Sequence, residues 1–146
     1  MIVYAGPALL VRLLVPARTG PDWGAALRDF AEVQVVSTPL AVAECSAEAV
    51  LAGLEQGMTV ECVLDRLSTL VDPVDGLVEL VDLEPVEMEA RATKFAANGL
   101  ALGHARHLAA AELCFRDLAE PGEKLAFGAD DGRQARVATA CGWHVL

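Results

Sequence analysis

The chain has 146 residues, 54% of them hydrophobic, a mean hydropathy of +0.40 and a formal net charge of −10. That length suits a single domain over 1–146 with a real core. No apolar run approaches the roughly 20 residues of a membrane helix, and the first residues lack the basic stretch of a secretory signal, so a soluble, cytoplasmic protein is expected. The acidic balance argues against tight nonspecific nucleic-acid binding, whose affinity comes from cations that displace counterions. It favours a basic protein partner, or a local acidic cluster around a metal ion.

Ile2–Tyr4 reads as a short buried strand, Gly6-Pro7 as a turn and Ala8–Leu14 as the start of an apolar helix. An opening strand that feeds a helix suits the centre of a parallel sheet. Pro16–Pro21 reads as a loop, and Asp22 as the cap of a helix through Phe30 with Trp23, Leu27 and Phe30 on one face. Val33–Ser37 is the second strand. Ser37 or Thr38 caps a helix that begins near Pro39 and stops near Gly53 or Gly57. Met58 or Thr59 opens a helix through about Val71, with Val60, Val63, Leu64, Leu67 and Leu70 at helical spacing.

Asp72-Pro73 and Asp75-Gly76 are turn signals. Leu77–Leu83 alternates apolar and acidic residues, which marks a strand with one wet face at a sheet edge. Pro85–Ala97 is helical and ends at Asn98-Gly99. Leu100–Gly103 is a link, Ala105–Leu118 an Ala-rich helix and Pro121-Gly122 a turn. Leu125–Ala129 is a strand, Gly132–Ala140 a helix ended by Gly142, and His144–Leu146 a last strand. This alternation predicts an α/β domain around a parallel sheet.

Chemistry in such sheets sits at the carboxyl ends of the strands. There the first strand offers Ala5, Gly6, Pro7 and Ala8, none with a ligand atom on its side chain. Glu44 lies in an apolar helix face with Glu48 one turn on; it is either a carboxylate aimed into a cleft as metal ligand or base, or a helix-surface acid. Asp130 and Asp131 follow a strand, in place for a divalent cation or for capping the helix at Gly132. His104, at a helix start, can donate, accept or ligate; His107, one turn on, reads as a satisfied core or boundary histidine. Cys45, Cys62, Cys114 and Cys141 form no CxxC pair and read as small buried hydrophobes. Ser37 and Ser46 have no nearby base, and there is no Gly-rich phosphate loop, HExxH or nucleophile elbow.

The blocks MIVYAGPALLVRLLVP, STPLAVAEC, LALGHARHLAAAEL and FGADDGRQARVATACGWHVL resemble, in order, the four signature blocks of PIN domains, in particular the VapC-type toxins of toxin–antitoxin systems. The resemblance implies a PIN-like three-layer α/β fold, with a parallel sheet of about five strands and helices on both faces. It implies an Mg²⁺- or Mn²⁺-dependent endoribonuclease, a homodimer, RNA as substrate and an antitoxin-like partner that brings a basic segment. By the same resemblance Glu44 keeps the second-block acid and Asp131 the fourth, with Asp130 beside it, so Glu44, Asp131 and Asp130 are the metal candidates. Glu44, Asp131 and His104 are the catalytic candidates. Gly6 and His104 stand where the family has acids, and Ala8 where it has a hydroxyl. An eroded site is therefore expected, with weak Mg²⁺ or Mn²⁺ binding and little or no nuclease activity. The alternative is an active endoribonuclease whose site is rearranged around Glu44, Asp130, Asp131 and His104, with Glu48 as a further candidate acid.

Overall fold

The computed structural model describes residues 1–16, 22–29 and 32–146. Within them run β1 (Ile2–Tyr4), α1 (Pro7–Leu14), α2 (Trp23–Asp29), β2 (Gln34–Ser37), α3 (Pro39–Glu55), α4 (Val60–Leu70), β3 (Val78–Leu80), α5 (Pro85–Ala96), α6 (Leu102–Leu118), β4 (Leu125–Phe127), α7 (Gly132–Ala140) and β5 (His144–Val145). Most of the Pro16–Pro21 loop, and Phe30 with its place on the α2 face, lie outside the described residues.

The five strands form one sheet in the order β3-β2-β1-β4-β5, and every pairing is parallel. The opening strand is central, as expected: Tyr4 pairs with Val36 on one side and Phe127 on the other. Side chains alternate across a strand, so β1 feeds two cores. Ile2 and Tyr4 face α5, α6 and α7 with Leu108, Cys114 and Phe127. Val3 and Ala5 face α1 to α4 with Leu9, Leu10, Cys45 and Val63. The result is an α/β fold of three layers, the architecture read from the sequence.

Each local signal has an identifiable cause. Pro7 opens α1, where a missing N–H costs nothing and φ is already helical. Asp22 Oδ1 accepts from Ala25 N–H at 3.0 Å and starts α2. Thr38 and Thr59 cap α3 and α4 by accepting from Ala41 and Cys62 N–H. Ser37, the other candidate cap, instead donates to the Ala5 carbonyl at 2.7 Å and ties the end of β2 to the end of β1. The Ala-rich inner face of α6 lets that helix lie close on β1, with Ala105 and Ala109–Ala111 all buried.

Several boundaries differ from the sequence reading. β3 covers only Val78–Leu80 of the alternating stretch, because only those residues have a ladder partner, on β2. β4 stops at Phe127, where Gly128 N–H donates to the Tyr4 carbonyl and the chain turns toward α7. α6 begins at Leu102 rather than Ala105, so His104 is already helical. The cysteines divide: Cys45 and Cys114 are buried, whereas Cys62 on the outer face of α4 and Cys141 just past α7 are exposed. Helical spacing alone does not tell which face of α4 is covered. Among the described residues no helix is long and apolar enough to cross a membrane.

Candidate functional site

The strand order reverses between β1 and β4, so their carboxyl ends splay apart at the point where open α/β sheets build sites. Gly6, Ala8, Asp130 and Asp131 meet there. A Cβ on Gly6 would lie 3.0 Å from the Gly128 carbonyl oxygen and 3.8 Å from Asp130 Oδ1. Position 6 is therefore hemmed in by β4, and Asp130 already reaches toward it.

Asp130 Oδ1 accepts from Ala8 N–H at 3.0 Å. Gly6, the α1 cap residue, has no side chain with which to bind that first turn. Asp130 does so from across the sheet, and its negative charge suits a helix N-terminus. Asp131 caps the next helix: its Oδ1 accepts from Arg133 N–H at 2.9 Å and Gln134 N–H at 2.8 Å. The Gln134 N–H first, then the His104 imidazole and the Arg133 N–H, hold the Asp131 carboxyl below the usual carboxylate range. The capping alternative read from the sequence is thus realised at Asp131, while Asp130 caps a different helix from the one at Gly132.

His104 stands between the two acids, with Nδ1 3.4 Å from Asp131 Oδ2 and Nε2 3.9 Å from Asp130 Oδ2. Gln134, which sequence reasoning passed over, is fully buried and organises this corner. Its Oε1 accepts from Asp130 N–H at 2.7 Å, and its Nε2 donates to the His104 carbonyl at 3.1 Å. A polar residue in the first turn of an Ala-rich helix carries no sequence signal for that role.

Glu44 is 41% exposed, so the helix-surface reading holds for much of its side chain. Its carboxylate nevertheless points at His107, whose Nε2 lies 2.6 Å from Glu44 Oε2. His107 is 1% exposed, and its Nδ1 lies 3.1 Å from the Tyr4 hydroxyl, which in turn is 3.4 Å from Thr38 Oγ1. Burial pushes the Tyr4 phenol far above its ordinary range; Thr38 opposes this, while Cys114, Glu44 and Asp130 add to it. Two of the three candidate carboxylates, Glu44 and Asp130, thus act on the same phenol at the end of β1. Glu48 adds its charge to Cys45, whose thiol burial and Glu48 together push up to about 11.

This donor set does not fit Mg²⁺. The ion takes near-octahedral oxygen ligands at close to 2 Å, with carboxylates free to turn toward it. Here Glu44 is bound to an imidazole, Asp130 and Asp131 accept from helix N-termini, position 6 has no side chain, and His104 offers nitrogen. Among the described residues no group of three or more His, Cys, Asp and Glu side chains is disposed to hold a metal ion. Nor is any buried side-chain nitrogen or oxygen among them left without a hydrogen-bond partner. A cavity of about 910 Å³ opens at the other end of the sheet, beside Leu14, Asp65, Arg66 and Leu77, and none of the candidate residues lines it. No protein-family model matches the chain, and no curated protein matches it.

Proposed function

We propose that the chain is a PIN-like, VapC-like cytoplasmic protein whose metal site has eroded, weak or inactive as a nuclease and retaining partner binding. The observation that carries this reading is the state of the carboxylates at the β1–β4 switch point. Glu44, Asp130 and Asp131 each accept a hydrogen bond from the protein itself at 2.6–3.0 Å, and the residue between them and β1 is Gly6. A hydrolytic metal centre needs such oxygens for the ion, which positions the attacking water and stabilises the leaving oxygen. Its loss costs several kcal/mol of transition-state stabilisation on an order-of-magnitude view. The net charge of −10 favours an antitoxin-like partner with a basic segment over RNA, and a homodimer accompanies the family likeness.

The test is incubation of the purified protein with structured RNA and Mg²⁺ or Mn²⁺, together with binding of RNA and of a basic peptide followed across salt. The expected result is no metal-dependent cleavage, and peptide binding that weakens as salt rises. Cleavage that vanishes in Glu44→Gln or Asp131→Asn would instead make the protein an active endoribonuclease with a rearranged site.

A further inference from the structure

Tyr4, Thr38, Glu44 and His107 belong to β1, the start of α3, the second turn of α3 and α6. These elements lie in three layers. The inner face of α3 packs in the core below the sheet, α6 packs in the core above it, and β1 lies between. Contacts between outer layers of such a fold are normally blocked by the sheet. Here the Glu44–His107 bond passes over the carboxyl edge of β1 and joins them directly at 2.6 Å. The return path runs from His107 Nδ1 to the Tyr4 hydroxyl and on to Thr38 Oγ1, which also accepts from Ala41 N–H at the start of α3. The side chains therefore form a closed ring through α3, α6 and β1.

We infer that this ring is a clasp that locks the two helical layers over the end of β1, and that Glu44 serves in it as the carboxylate partner of a buried histidine. His107 is 1% exposed, so Glu44 and Tyr4 stand in for water at its two ring nitrogens. A ligand that takes Glu44 Oε2 must displace His107 and leave a buried donor unpaired. The clasp thus reserves one oxygen of the Glu44 carboxylate for His107. The inference stands on hydrogen-bond geometry and shares the Glu44–His107 bond with the functional proposal; the unfolding experiment and the nuclease and peptide assays read the two separately.

The sign of a mutational effect separates a clasp from a metal site. In a cluster of carboxylates awaiting a cation, removing one negative charge relieves repulsion and stabilises the metal-free protein. In a clasp, removing it withdraws the partner of a buried imidazole. Thermal unfolding of Glu44→Gln and Glu44→Ala in metal-free buffer, and again with excess Mn²⁺, reads this directly. Position 44 is partly exposed, so both variants fold. The clasp predicts a fall in Tm of roughly 3–6 °C, larger for Ala than for Gln, which keeps an acceptor oxygen. It also predicts that Mn²⁺ leaves the wild-type Tm unchanged, and that ¹⁵N NMR finds the His107 Nε2 protonated at neutral pH. A rise or no change in Tm for Glu44→Gln, an Mn²⁺-induced rise in the wild type that Glu44→Gln abolishes, or an unprotonated Nε2 would each overturn it. RNA cleavage and peptide binding are separate readouts and decide the functional proposal alone.

Discussion

Two glycines at the switch point set the approach of α1 to β4, and they behave differently. A Cβ on Gly128 would sit 2.6 Å from Leu9 Cβ and 2.7 Å from Leu9 Cδ2, on a side chain that is itself fully buried. Gly128→Ala therefore overpacks the α1–β4 contact and costs about 1–3 kcal/mol, measurable by urea unfolding. Gly6→Ala makes one tight contact, with the Gly128 carbonyl oxygen at 3.0 Å, and meets Asp130 Oδ1 at an ordinary 3.8 Å, so its cost is smaller. At Asp131 the stabilisation is electrostatic as well as geometric. Its folded-state carboxyl titrates below the unfolded one, so its contribution is full above the unfolded value and is lost as pH falls through the folded one. Asp131→Ala should lower Tm by roughly 2–4 °C at neutral pH, and the gap from wild type should close in acid.

At the scale of elements, charge lines the seam between α5 and α6. Arg106 meets Glu89 at 2.7 Å, Arg91 meets Glu112 at 3.1 Å, and Arg116 pairs with Glu87. These pairs are a third or more exposed; the Arg106–Glu89 and Arg91–Glu112 pairs contribute on the order of 0–1 kcal/mol each, and Arg116 sits in open solvent. Arg106→Gln should leave the unfolding midpoint nearly unchanged in high salt. The order of strands and helices was legible in the sequence because β1, β2 and β4 are short apolar runs and each helix carries a cap or a breaker. The extent of β3 was not, since a ladder partner on β2 limits it and alternation alone does not. The candidate site was legible as a set of acids around a strand end. Its wiring was not: Tyr4 and His107 touch across 103 positions of sequence, and Asp130 and Ala8 across 122. Spacing within one helix carries no trace of such partners.

Over the whole molecule, buried ionisable groups set an upper pH limit. Burial, reinforced by Asp117, pushes the Cys114 thiol up to about 12, and burial with Glu48 pushes Cys45 to about 11, both from 9.0. The folded chain keeps protons that the unfolded chain gives up, so stability is full below pH 9.0 and declines as pH rises above it. Chemical denaturation across that range, with a thiol reagent as reporter, should show Cys62 modified in the native state and Cys45 and Cys114 modified only on unfolding. The central place of β1 also bears on synthesis. Ile2 lies beside Gln34 on one side but beside Leu125 on the other. A nascent chain still on the ribosome must hold an apolar strand with one bare edge until β4 has emerged. Late closure of this kind slows folding and invites pairing between neighbouring chains. A fragment that ends before β4 should accordingly aggregate, visible as light scattering well above that of the full chain.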